Sequence, residues 1–210
     1  MDAPPGRQGP CPLPPEHALD RAAQLPCPLP VIAITGHSGS GKTTLSTALI
    51  ARLRRRGWSP AMVKHAHHGF DMDRPGKDSH RAREAGSEQV LVVSARRWAL
   101  LTETPTADEN DDLLATRLSA IDPQRADVIL AEGFRHSGAG QLLVHSQRTG
   151  ADRPDFRAPG LLAIATDEPG AVPAGLPCLD LDGHDEITDF VEQCAREIIA
   201  RIRGNPDNHY

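Results

Sequence analysis

Residues 36–43 read Gly-His-Ser-Gly-Ser-Gly-Lys-Thr and satisfy the spacing G-x-x-x-x-G-K-[ST] in full. That spacing suits one chemistry, the holding of a nucleoside triphosphate. Gly36, Gly39 and Gly41 let the chain curl until successive backbone N–H groups, including those of His37, Ser38 and Ser40, converge on one anion. The positive end of a following helix adds to them. Lys42 is placed to reach the β and γ phosphates, Thr43 to offer its hydroxyl to Mg²⁺, and Thr44 to complete the nucleotide-binding segment.

A phosphate loop needs a second acidic group to hold or orient the Mg²⁺ shell. The run 127–133, Asp-Val-Ile-Leu-Ala-Glu-Gly, contains two. In open α/β sheets ligands sit beyond the carboxyl ends of the strands. Asp127 opens the run, about five residues at roughly 3.3 Å each from that rim. Glu132 closes it at the correct edge. Glu132 is therefore the expected metal-shell partner of Thr43 and the expected catalytic carboxylate, with Asp127 a surface residue.

Two further constellations bear on the ligand. Asp167 ends the run Ala-Ile-Ala-Thr-Asp at 163–167. A carboxylate there can accept from guanine N1–H and N2–H together, a donor pair adenine lacks, so Asp167 is the candidate for base selection. The alternative is a strand-end cap or turn aspartate. The run from Lys64 to Ser79 carries His65, His67, His68, Asp71, Asp73, Lys77 and Asp78. Following a strand, it is expected on the ligand side, with its charged residues near the γ-phosphate; a solvated charged loop is the alternative. Adjacent His67 and His68 tend to point apart, which favours polar contacts to phosphate or substrate over zinc.

The elements that must position these groups follow from hydrophobic periodicity. Val31–Ile34 is a short apolar run of the kind a strand buried on both faces requires. A helix follows from Lys42 to Arg56, with Leu45, Ala48, Leu49 and Leu53 on its core face; Arg54, Arg55 and Arg56 lie in its last turn and Gly57 ends it. Further strands are expected at 59–65, 89–94, 98–102, 127–131, 142–145 and 161–166. Helices are expected at 78–85, 108–121 and 185–203. Alternating strands and helices predict a three-layer α/β/α fold of the P-loop NTPase type around a mostly parallel sheet. Nine of the 19 prolines fall in the first 30 residues. Residues 1–29 are therefore read as a mobile, proline-rich extension, 30–204 as one nucleotide-binding domain, and 205–210 as a flexible tail.

Composition narrows the partners. A net charge of -5 and 3% aromatic residues argue against nucleic acid, which asks for a basic stripe or stacking platforms. The four cysteines show no C-x-x-C spacing, so free thiols in a reducing compartment are expected. No apolar run has the length of a membrane span, and the cytoplasm is the expected location.

Residues 36–44, the run from Lys64 to Ser79, Glu84-Ala85-Gly86 and Glu132-Gly133-Phe134 together resemble MobB, the molybdopterin-guanine dinucleotide biosynthesis adaptor family. The likeness covers about residues 31–200, and the His/Asp-rich run ending Pro-Gly-Lys-Asp-Ser is its most specific part. The resemblance implies a GTP-binding adaptor using Mg²⁺, with at most slow hydrolysis. It also implies a homodimer that assists the molybdenum cofactor guanylyltransferase, with molybdopterin as a further ligand that the histidines could touch. Arg135 stands where the family often has lysine, which keeps the charge but changes donor geometry. The main rival is a small-molecule kinase whose lid would be Arg148, Arg153 and Arg157, although no acceptor motif accompanies them. A GTPase metallochaperone would want a clearer thiol or imidazole cluster.

Overall fold

The computed structural model describes residues 12–66, 70–104, 113–150 and 154–205. Its strands are Val31–Thr35 (β1), Pro60–Lys64 (β2), Gln89–Val93 (β3), Trp98–Thr102 (β4), Val128–Glu132 (β5), Gly140–His145 (β6), Leu161–Thr166 (β7) and Cys178–Asp180 (β8). Its α-helices are Glu16–Ala22 (α1), Lys42–Arg55 (α2), Asp78–Glu84 (α3), Leu113–Arg117 (α4) and His184–Gly204 (α5).

Six strands form one sheet in the order β2-β5-β1-β6-β7-β8, every neighbouring pair parallel. β1, β5, β6 and β7 are buried at every position, which is why they read as unbroken apolar runs. Alternation still sorts their side chains between the two faces of the sheet. Ile32 and Ile34 join Leu45 and Leu49 of α2, Phe190 of α5 and Leu19 of α1 on one face. Val31, Ala33 and Ile129 meet Leu114 and Leu118 on the other. The α/β/α architecture with a parallel sheet is thus as expected. The unforeseen β8 adds an outer strand.

α5 buries Ile187, Phe190, Val191, Cys194, Ile198 and Ile202 in one stripe. It also takes up Arg52 of α2 and Arg56 just after it: Arg52 Nε donates to Asp185 at 2.7 Å, and Arg56 pairs with Asp189 at 2.6 Å and Glu192 at 3.2 Å. These cations therefore join two helices in addition to facing the helix dipole.

Three expectations are corrected. Residues 1–29 are not one mobile extension, because α1 lies within them with Ala18, Leu19 and Ala22 buried, and Arg201 of α5 holds Asp20 at 2.8 Å. The prolines stand on either side of a proline-free run, 16–25, in which the helix forms. Leu25, Cys27 and Leu29 then enter the core on the opposite face. Residues 30–204 do not form a single unit. The chain divides into 1–65 with 112–210, and 66–111. The second unit contains α3 and the antiparallel ribbon β3–β4, a two-stranded sheet of its own. Lastly, the helix expected over 108–121 does not run on to 121: α4 gives way at Leu118–Ala120 to a 3₁₀ turn, and 105–112 lie outside the described residues.

Candidate nucleotide site

The loop between β1 and α2 carries the phosphate motif at the carboxyl edge of the central strand. Gly36 has φ 140°, and a Cβ there would collide with the Val144 carbonyl oxygen of β6. Only glycine lets the loop leave β1 this close to its neighbour. Ser38, Thr43 and Thr44 are exposed, whereas Ser40 is buried. The Ser40 Oγ has no hydrogen-bond partner, and an orphaned buried hydroxyl inside a phosphate loop fits a site that completes its bonding with an anion.

Lys42 folds back over the loop, its Nζ donating to the carbonyls of Gly36 at 3.1 Å and His37 at 2.6 Å. Burial pushes this ammonium below the ordinary lysine value. Glu132 opposes the shift, and the nearby cations Arg135 and Lys64 add to it. Three cations thus share one electrostatic neighbourhood, which a polyphosphate would neutralise.

Glu132 ends β5 and is 5% exposed. Its Oε1 accepts from Thr43 Oγ1 at 2.8 Å and pairs with Lys64 Nζ at 3.0 Å, and its Oε2 accepts from Ser46 Oγ at 3.4 Å. Burial raises its pKa, but the bonds from Lys64, Thr43 and Ser46 together outweigh that, and the carboxyl lies below its ordinary value. A hydroxyl and an ionised carboxylate 2.8 Å apart are hard oxygen donors of the kind Mg²⁺ takes. Asp127, by contrast, precedes β5 and accepts from the Ser59 N–H at 2.8 Å, tying the start of β2 to that of β5. Two residues past the carboxylate, Phe134 adopts φ 55° and its ring lies 5.2 Å from that of His65. Backbone strain of this kind at a site edge is retained only when its surroundings hold it.

The remaining expected residues fall into three groups. Asp167 reaches the carboxyl rim at the end of β7, but its carboxylate is engaged locally. Oδ2 accepts from Ser146 Oγ at 2.7 Å and Arg148 Nε at 2.8 Å, and Oδ1 from the Gln147 N–H at 2.8 Å. It ties the segment after β6 to the end of β7, the arrangement of a strand-end cap. Arg148 is held a second time by Asp182 at 2.7 Å, so it is not a loose lid cation; Arg153 lies outside the described residues. Asp71, Asp73, Lys77 and Asp78 belong to the unit 66–111. There Arg83 pairs with Asp71 at 3.2 Å and Glu103 at 2.6 Å, Ser79 donates to Asp73 at 2.8 Å, and Lys77 and Asp78 open α3. His67 and His68 lie outside the described residues.

Sequence reasoning missed Ser46 and the partner of Lys64. Ser46 was within reach, since it lies three residues after Thr43 on one helix and so shares its face. The Lys64 pairing depends on which strands are neighbours, and no local pattern records that.

Among the described residues no helix is long and apolar enough to cross a membrane. A family model described as "Molybdopterin guanine dinucleotide synthesis protein B" matches residues 31–167. A molybdopterin-guanine dinucleotide biosynthesis adapter protein of Escherichia coli (strain K12) is 40% identical over 166 residues, 78% of this chain and 91% of that protein. The protein of the same description from Haemophilus influenzae is 38% identical over 164 residues, 78% of this chain and 88% of that one. A crystal structure of molybdopterin-guanine biosynthesis protein B superposes with a TM-score of 0.58 at 27% identity, covering 79% of this chain and 99% of that one.

Proposed function

The chain belongs to the MobB family and is an adapter of molybdopterin guanine dinucleotide biosynthesis, and from that premise we propose that the nucleotide it holds is GTP with Mg²⁺. The observation that carries the proposal is the contact of Thr43 with Glu132 at 2.8 Å, which joins the start of α2 to the end of β5 behind a complete phosphate loop. Lys42 would meet the β and γ phosphates, and Thr43 and Glu132 would hold the metal, which supplies charge neutralisation when bound. Glu132 would also orient the attacking water, so what slow hydrolysis the protein has depends on it. Asp167 contacts guanine only by exchanging one of its local bonds.

The adapter works by holding GTP in one geometry and presenting it to the guanylyltransferase that joins GMP to molybdopterin, since orientation needs no chemistry of its own. It acts as a homodimer. The support for this is the ribbon, where Leu91, Val93, Trp98 and Leu100 are large, exposed and on one face by their pairing. A two-stranded ribbon is marginal alone, and such a face calls for cover.

The test is calorimetry of GTP against ATP, with and without Mg²⁺, followed by a reconstituted assay of the guanylyltransferase with molybdopterin and limiting GTP. GTP preference and higher dinucleotide yield in the presence of this chain are expected. No change in yield together with no detectable complex would sink the adapter mechanism. A phosphorylated small-molecule product would make the chain a kinase instead.

A further inference from the structure

Two groups from different elements share one oxygen of Glu132. Thr43 Oγ1 at the start of α2 donates to Oε1 at 2.8 Å, and Lys64 Nζ at the end of β2 stands 3.0 Å from the same atom. The parallel register of β2 and β5 sets Lys64 opposite Glu132 residue for residue, so both reach the rim at one level. Their surroundings differ sharply: the Glu132 side chain is 6% exposed and that of Lys64 is 57% exposed. The anion is fixed, and the cation has solvent to move into. Exposed ammonium partners are weakly held and exchange readily.

We propose that Lys64 and a divalent cation compete for Glu132 Oε1, which makes Lys64 the positioning residue that couples metal to nucleotide. The proposal rests on the nucleotide reading above and deepens it. Its physical basis is charge balance. A largely buried carboxylate beside a phosphate site repels phosphate unless a cation accompanies it. Lys64 fills that role, and so would Mg²⁺, for which the oxygens of Thr43 and Glu132 are suitable donors. Lys64 also belongs to the cation group felt by Lys42.

The experiment measures GTP affinity of the full chain by calorimetry, in excess Mg²⁺ and in EDTA, for wild type, Lys64→Met, Lys64→Arg and Lys64→Met/Glu132→Gln. Lys64→Met should weaken binding about tenfold in EDTA, the loss of one charge-assisted bond, and less than about threefold in Mg²⁺. The ratio of the two affinities therefore rises. Lys64→Arg should keep the wild-type ratio, and the double variant should return to it because the anion has gone. Equal losses in both conditions would overturn the proposal, since Lys64 would then be a plain phosphate contact or a support of the fold. A raised ratio that persists in the double variant would overturn it as well. Wild-type protein that binds no GTP in either condition would overturn the nucleotide reading itself, so the wild-type titration tells the two failures apart.

Discussion

Lys42 brings the main point charge to the phosphate loop, and its present acceptors are two loop carbonyls that a triphosphate would replace. Lys42→Ala should reduce GTP affinity by more than about a hundredfold, the sum of two charge-assisted bonds of about 1.5–3 kcal/mol each, while the melting profile stays near wild type. Unchanged affinity would place the phosphates elsewhere. Glu132→Gln should keep GTP binding within a few-fold and depress turnover, and Asp127→Asn, whose side chain caps the Ser59 N–H, should leave turnover untouched. The reverse pattern would reassign the carboxylate.

Asp167 carries a pH prediction at the same scale. Burial raises its pKa, but the bonds from Ser146, the Gln147 N–H and Arg148 prevail and hold it below the usual carboxylate range. A carboxylate with a depressed folded-state pKa contributes stability above its unfolded pKa of about 4. That contribution is lost as pH falls through the folded value. Asp167→Asn should therefore be less stable than wild type near neutrality, with the gap closing in acid, as urea midpoints across pH would report. The same variant tests base choice: equal losses for GTP and ATP mean that Asp167 is only a cap.

At the scale of elements, α1 is a short helix whose existence depends on burial. Seven residues are too few to be helical alone in water. Ala18, Leu19 and Ala22 recur at helical spacing and bury against the core that α5 helps to build. Leu19→Ala should cost about 2–5 kcal/mol in urea unfolding, the usual range for emptying a buried leucine site. A change below about 0.5 kcal/mol, the scale of surface substitutions, would mean that α1 is not docked in solution. The ribbon shows the opposite situation. Its strands pair in full register, yet Leu91, Val93, Trp98 and Leu100 keep one apolar face exposed.

For the whole molecule, that face is where association should be decided. Trp98→Glu places a charge where a homodimer would exclude water, and light scattering should show the dimer shifting to monomer. A variant that stays dimeric would move the interface off the ribbon. Much of the molecule was legible beforehand, for local reasons. The glycine spacing at 36–43 specifies a loop by itself, the apolar runs at 31–34 and 161–166 specify buried strands, and strand direction alone separates Glu132 from Asp127. Averaged composition concealed α1, because proline content was taken over 30 residues while the helix occupies a proline-free stretch.

What remained was decided by strand order. Hydrophobic periodicity says that a segment is a strand and which residues share a face, but not which strand lies beside it. Lys64 meets Glu132 because β2 adjoins β5. Asp167 is bonded locally because β7 adjoins β6, which brings Ser146 and Gln147 within hydrogen-bonding distance of it. The sequence by itself determined that this chain has a phosphate loop, a carboxylate at the right edge and the motifs of its family. The tertiary structure decided which cation that carboxylate holds and what Asp167 is bonded to, because contacts between distant segments depend on the order in which the sheet assembles.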